Sequence, residues 1–385
     1  MNMRASVKRS GLETWLLLPL AIFGFFTNVL LAEQAAPLEV STVFEYPKND
    51  PYDRSNLFGF NHAPSVVVQP DGTLMVAWFS GPHEASVLQV ILGSTSKDGG
   101  KTWSEASVVF DTPRTSDFDP AFIRDGKTTW LFFAAGRWDR YPFVGLREVE
   151  EKKVGLDSYH VFAMQSTDSG QTWSQPVQTI PERAFSRSNG IVLKSGAMLL
   201  PTYDSVDGKW TSSLLRSDDQ GKTWRRMGLI GAAEGKAGSE PTIAELDNGD
   251  VLIALRSRDG RIWFARSSDA GATWQEPFAS DFDAAAASHA LFRTKAGKVL
   301  LAYDACKPPL RSPLVLRTLD QRNMKWGDPI QVAEIGAPQD PYWSTQVAYP
   351  SIAELADGTI VVVWAEIGVS PEVQYGKIKC ARLKL

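Results

Sequence analysis

One octapeptide pattern, Ser-x-Asp-x-Gly-x-Thr-Trp, occurs four times in this chain, opening at Ser96, Ser166, Ser217 and Ser267 and closing on Trp103, Trp173, Trp224 and Trp274. A fifth, eroded copy keeps Thr318, Asp320 and Trp326. The pattern's aspartates recur about every 50 residues, with one longer step of about 70 between Asp98 and Asp168, a period long enough for a four-stranded blade. Each copy reads as a turn: Asp and Ser accept backbone N–H groups, Gly supplies a positive φ, and Trp packs beneath as a plug. A turn repeated in blade after blade does not converge on one site, so these aspartates are read as fold staples rather than acids or metal ligands.

A second repeat counts the blades. A small turn with Gly precedes an apolar, β-branched or aromatic run six times: Asp71-Gly72, Asp125-Gly126, Ser195-Gly196, Asn248-Gly249, Ala296-Gly297 and Asp357-Gly358. The prediction is an all-β chain folded as a six-bladed β-propeller, each blade opening with two inner strands and carrying its Asp-box later, between outer strands. About 350 residues over six blades is about 58 each, which leaves no room for a second domain. Ring closure is expected to be shared, the strand around Leu38 to Phe44 completing a last blade that includes Gln374 to Arg382. The polar stretch Arg147 to Ser158 reads as a loop insertion in the second blade. Thirteen Trp and nineteen Phe suit sheet faces packed on sheet faces, and 40 basic against 44 acidic residues give no electrostatic case for nucleic acid.

Residues 1–32 carry Arg4, Lys8 and Arg9, then an apolar stretch from Trp15 to Ala32, the pattern of a secretory leader. Leu30 is larger than the residue favoured three positions before a cut at Ala32, so an uncleaved anchor is the alternative. Either way the propeller, residues 33–385, is expected outside the cytoplasm, secreted or periplasmic, as a monomer without stable membrane insertion once a leader is removed. Cys306 and Cys380 are candidates for a disulfide in that compartment. No CxxC or EF-hand-like run appears, and no metal or cofactor is expected.

Propeller chemistry gathers where the innermost strands meet the axis. The residue just before each inner strand reads His62, Asp119, Asn189, Glu240, His289 and Tyr349, polar or ionisable in all six blades. Strand ends facing water are polar in any case, which suffices for Asn189 and His289. Glu240 and Tyr349 have more informative neighbours.

The fourth-blade run EPTIAELDNGDVLIALR, the last-blade run YPSIAELADGTIVVVWAE and the segment RSPLVL between them resemble the sialidase (neuraminidase) superfamily of Asp-box propellers, and the resemblance covers essentially all of the chain after the leader. It implies a strand-opening glutamate at Glu240, a strand-ending arginine at Arg256, a further substrate-binding arginine at Arg311, the family's tyrosine at Tyr349 and a strand-end Glu366. The chemistry of these residue types agrees. Two arginine forks make a carboxylate receptor, and a phenol beside a carboxylate base is a neutral nucleophile suited to a sugar that carries its own carboxylate.

The family's acid/base is an aspartate on a first-blade loop; here the loop reads SGPHEASVLQ, so Glu84 is the nearest replacement and His83 a weaker one, with an ordinary solvated loop residue as the plain alternative. The family also usually shows an arginine two residues before a proline at the start of the first blade, where this chain has His62-Ala63-Pro64. Three readings of His62 stay open: it binds a different acidic sugar with Glu366 holding its ring, it is itself a general acid or base, or the site has become a non-catalytic glycan-binding one. Asp119, Arg137, Arg187, Tyr203 and Trp343 are further candidates to shape the pocket. The expected function is an exo-glycosidase acting on a terminal, sialic-acid-like sugar, with Tyr349 as nucleophile, Glu240 as its base, Glu84 as acid/base, and Arg256, Arg311, His62, Asp119 and Glu366 binding substrate. Its alternatives are cleavage of a uronic-acid-containing polysaccharide, by hydrolysis or by elimination through His62 or His289 with Tyr349, and a glycan-binding protein without turnover.

Overall fold

Six antiparallel sheets follow one another along the chain in a computed structural model that describes residues 39–45, 57–138, 156–335, 346–369 and 374–385. The N-terminal leader segment, most of the polar stretch from Arg147 to Ser158, and Trp343 lie outside the described residues, as does the side chain of Arg137. The innermost and second strands are Phe60–Val68 with Leu74–Gly81 in blade 1, Ser116–Asp125 with Thr128–Trp138 in blade 2, and Ala237–Glu245 with Val251–Ser257 in blade 4. Blade 5 pairs Ala290–Arg293 with Val299–Asp304, and blade 6 pairs Gln346–Glu354 with Ile360–Val369. In blade 3 the innermost strand is broken into Phe185–Ser186 and Ile191–Val192, both paired with Met198–Val206. The chain's first described strand, Glu39–Glu45, pairs with Gln374–Leu383 and closes the last blade as expected.

Each Asp-box lies between the third and fourth strands of its blade, as its position in the repeat requires. In the first, Asp98 accepts the Ser96 hydroxyl (2.8 Å), the N–H groups of Lys101 (3.1 Å) and Thr102 (2.9 Å), and the Thr102 hydroxyl (2.6 Å). Gly100 at φ 93° completes the turn in a conformation that L side chains avoid. Trp103 donates to the Ser41 hydroxyl (3.1 Å), which itself donates to the Gly100 carbonyl (2.6 Å), so this box also clasps the closing strand. The four box tryptophans are half-buried against core residues, consistent with a packing role.

The core is a ring of layers between neighbouring blades. Blade 4 packs on blade 5 through Leu252, Phe264, Leu301 and Tyr303, and blade 5 on blade 6 through Leu300, Leu316, Val362 and the fully buried Trp364. Apolar burial of this kind is the dominant favourable term in folding. Near the axis the blades are also stitched by side chains. The Asn189 carboxamide accepts the Phe122 N–H and donates to the Val66 carbonyl, each at 2.8 Å, and the Thr242 hydroxyl accepts the Leu291 N–H at 2.9 Å. Asn189 is therefore a staple between blades.

One backbone device aims the site. Ala63, Asp119, Glu240 and Tyr349 each precede a proline and each take a positive φ, of 53°, 54°, 45° and 62°. Each coincides with a shift in the pairing register of its innermost strand. A bulge of this type turns a side chain out of the pleat, and left-handed backbone at non-glycine residues costs of order 1–3 kcal/mol, so surrounding structure must hold it. The sequence row that set His62 beside Asp119, Glu240 and Tyr349 is corrected here: Ala63 occupies the bulge in blade 1, and His62 is the residue before it, equivalent to Phe118, Ser239 and Ala348.

Candidate functional site

Tyr349, Glu240 and Arg256 converge from blades 6 and 4. The Tyr349 hydroxyl donates to Glu240 Oε1 at 3.0 Å and accepts from Arg256 Nη1 at 2.9 Å, and the same Arg256 nitrogen closes the triangle onto Glu240 Oε1. All three are largely buried, with Glu240 and Tyr349 each 7% exposed. Burial, reinforced by Glu240's negative charge, holds the Tyr349 phenol well above its ordinary range against the opposing pull of Arg256 and Arg311. Burial works against Arg256's charge, but the Glu240 carboxylate together with the Tyr349 and Tyr203 phenols outweighs it and keeps the guanidinium firmly protonated. The phenol is thus neutral at rest, with a carboxylate in place to take its proton.

Two more guanidinium groups lie over the Tyr349 ring. The Arg187 carbon is 4.9 Å from its centroid and the Arg311 carbon 5.8 Å. Arg311 donates to Gln346 Oε1 and to the Ala286 carbonyl, both at 3.1 Å, which fixes its fork at the edge of blade 5. Arg187 sits in the break of blade 3's innermost strand, fully buried, with Nε and Nη2 unpartnered.

Four carboxyls surround this cationic cluster. Glu84 lies in the turn after the second strand of blade 1, tied down by Gln89, which accepts the Ala85 N–H (3.0 Å) and donates to the Asp117 carbonyl (2.8 Å). Its pKa is raised by desolvation and by Glu240's charge, while Arg311 and Arg256 oppose, which puts its carboxyl within electrostatic reach of the other groups. Its surface is exposed, so water screens the charges around it. Asp119 accepts the Tyr203 hydroxyl at 3.3 Å and is pushed up to about 7, chiefly by burial and against the pull of Arg187. Glu240 is the third. Asp304, 2% exposed, with both oxygens unpartnered, is raised well above the ordinary carboxylate range by burial while Arg311 and Arg256 oppose.

Sequence reasoning passed over Asp304. Its signal was present: VLLAYD ends on Asp304 at the hairpin position where VLIALR ends on Arg256, so superposing the blades would have brought both to the site.

Two of the four histidines, His62 and His289, are buried and neutral. His62 packs its ring against Tyr349 at 4.0 Å between centroids, with Phe60 and Phe79 at 5.5 and 5.3 Å, and neither ring nitrogen has a hydrogen-bond partner. Desolvation and then Arg311, Arg187 and Arg256 drive its pKa well below the usual value. His62 therefore brings no positive charge to the blade 1 side. His289 is lowered to about 4, mainly by burial.

Glu366 ion-pairs with Lys377 at 3.4 Å, the two standing opposite each other on the second and third strands of blade 6. One expectation needs correction. Cys306 and Cys380 are free thiols, one half-buried and the other buried. Among the described residues no group of three or more His, Cys, Asp or Glu side chains is gathered around a metal position.

A family model described as a BNR repeat-like domain matches residues 72–362. A sialidase of Micromonospora viridifaciens is 29% identical over 318 residues, covering 74% of this chain and 48% of that relative. A sialidase of Paraclostridium sordellii is 26% identical over 262 residues, covering 61% of each. The chain thus spans about two-fifths to three-fifths of the length of the curated relatives it matches. Among solved structures, a Dyadobacter fermentans protein of unknown function superposes with a TM-score of 0.71 at 20% identity, covering 92% of this chain and all of that one. The NanB sialidase of Streptococcus pneumoniae superposes with a TM-score of 0.69 at 15% identity, covering 90% of this chain and 70% of that one. At these identities the structural likeness speaks for the propeller fold.

Proposed function

We propose that this chain, which belongs to the BNR repeat-like domain family, is a sialidase-type glycoside hydrolase that removes a terminal acidic sugar with retention of configuration. The observation that carries the reading is the Glu240–Tyr349–Arg256 triangle. The Tyr349 oxygen attacks the anomeric carbon as its proton passes to Glu240, and the glycosidic C–O bond breaks while Glu84 protonates the departing oxygen. Water, deprotonated by Glu84, then displaces the phenolate, which recovers its proton from Glu240. Arg256, bonded to both oxygens, stabilises the negative charge wherever it resides along this path. Arg311 is the carboxylate receptor of this scheme, and its electrostatic reach to Glu84 supports placing the acid/base on the same side. A protonated Glu84, favoured by its raised pKa, is the form that a leaving-group acid needs. The N-terminal pattern of basic residues and an apolar run supports a site of action outside the cytoplasm.

A second reading is favoured by one observation: His62 is neutral, unpartnered and in ring contact with Tyr349, which suits a base for elimination across a uronic acid. One experiment separates the two. Wild type and Tyr349→Phe are assayed for release of 4-methylumbelliferone from its sialic acid glycoside, with the matching glucuronide and iduronide alongside, and the first-formed sugar anomer is read by NMR. Turnover of the sialoside that Tyr349→Phe abolishes, with the α-anomer released first, is the expected result. An unsaturated uronide as product would establish the elimination, and an acidic glycan bound equally by both proteins without turnover would leave a lectin.

A further inference from the structure

Among the described residues Arg187 is a buried cation with no ion-pair partner. It is 1% exposed, and Nε and Nη2, the two nitrogens that form the side-on edge of its fork, have no hydrogen-bond partner. Among the described residues no carboxylate lies within ion-pair distance of it. The acid whose proton it perturbs most, Asp119, is raised to about 7 and is bound to Tyr203. An unpaired buried charge is strongly unfavourable, so a fold retains one where some state of the protein compensates it. The guanidinium carbon lies 4.9 Å from the centroid of the Tyr349 ring.

We propose that Arg187 is a positioning residue whose missing counter-charge is the phenolate that Tyr349 becomes during the reaction. The inference rests on the nucleophile assigned above. As the phenol proton moves to Glu240, the Tyr349 oxygen bonds the anomeric carbon and the glycosidic C–O bond breaks; in the second half the phenolate leaves again. In both halves negative charge spreads from the oxygen into the ring, where a cation over the π-face meets it. Arg256 serves the oxygen and Arg187 the ring. A charge left uncompensated in the ground state and compensated in the transition state lowers the barrier without tightening substrate binding. The neutral His62 on the same ring explains why the charge comes from blade 3: burial and three arginines keep that imidazole unprotonated. Burial of Nε and Nη2 argues against a side-on fork from Arg187 to the substrate's own carboxylate in this conformation.

The test compares Arg187→Met and Arg187→Lys with wild type on the fluorogenic acidic-sugar glycoside that the wild type turns over, recording kcat and KM separately. Arg187→Met is expected to lose about 10- to 100-fold in kcat with KM within about threefold. Arg187→Lys, which keeps the charge without the planar fork, is expected to retain kcat within about fivefold. Site-specific 3,5-difluorotyrosine at position 349, a more acidic phenol, is expected to shrink the Arg187→Met deficit. An unchanged kcat in Arg187→Met overturns the inference and leaves the nucleophile assignment standing if Tyr349→Phe is dead. A raised KM with kcat intact overturns it in favour of a substrate-binding fork. Should Arg187→Met not fold, Arg187→Lys decides alone: a loss beyond about 50-fold overturns the inference. A wild type that turns over no acidic-sugar glycoside removes this inference together with the function it rests on.

Discussion

Replacing Glu240 by Gln separates the structural from the chemical work of the triangle. The side chains of Glu240 and Arg256 keep 10% and 18% of their surface, so the pair is mostly withdrawn from water. Removing one member of a buried pair costs about 3–5 kcal/mol because the other charge is left uncompensated, and the residual exposure puts this case near 3 kcal/mol. Unfolding entropy of about 2.1 cal/mol/K per residue over about 350 residues is about 0.7 kcal/mol/K, so that loss lowers Tm by about 4 °C. Tyr349→Phe removes a hydroxyl that donates to Glu240 and accepts from Arg256, yet leaves the two charges bonded to each other; about 1 kcal/mol and about 1 °C are expected. In turnover the order reverses. Glu240→Gln removes the base and costs about 100- to 10,000-fold in kcat, whereas Tyr349→Phe removes the nucleophile and the pre-steady-state burst with it. Scanning calorimetry and stopped-flow fluorescence on the two variants check both halves. A Glu240→Gln protein that melts with the wild type, or a Tyr349→Phe protein that keeps its burst, refutes the reasoning.

Further outcomes follow from titration, turn chemistry and the thiols. Burial raises Asp117 from 3.8 to about 7, so its stabilising contribution is complete below about pH 4 and lost as pH rises through 7; Asp117→Asn is expected to melt higher than wild type at pH 8 and no higher at pH 4. The box aspartates run the opposite way: bonds from Thr223 and Ser217 lower Asp219 to about 2, so Asp219→Ala should melt below wild type at pH 7, with the gap closing as pH falls from about 4 to about 2. For Glu84, whose pKa is raised, kcat/KM should fall as pH climbs through that pKa, and Glu84→Gln should erase this limb of the profile. Under native conditions a maleimide should label Cys306 slowly, its thiol being pushed up to about 11 mainly by burial, and Cys380 only after unfolding; two thiols should be titrated without reductant.

The blades were legible because they are local. A turn needs its Asp, Gly and Trp within eight residues, a hairpin needs its Gly beside its apolar run, and both leave a period that a single sequence displays. Even the closing strand, far from its partner in the chain, was marked by its place before the first repeat. The bulges were half legible: the prolines at 64, 120, 241 and 350 announce them, but only the pairing register shows that Ala63, not His62, is the counterpart of Tyr349. The site itself is non-local. Tyr349 and Glu240 are 109 residues apart, and what surrounds their hydrogen bond depends on how six blades close around an axis. Hence the residue types Glu240, Arg256, Arg311 and Tyr349 were readable from the chain. The burial that keeps His62 neutral, the pairing of Glu366 with Lys377, the orphaned Asp304 and the unpaired charge of Arg187 over the nucleophile's ring were decided by the closed ring, because desolvation and charge coupling are properties of neighbours in space.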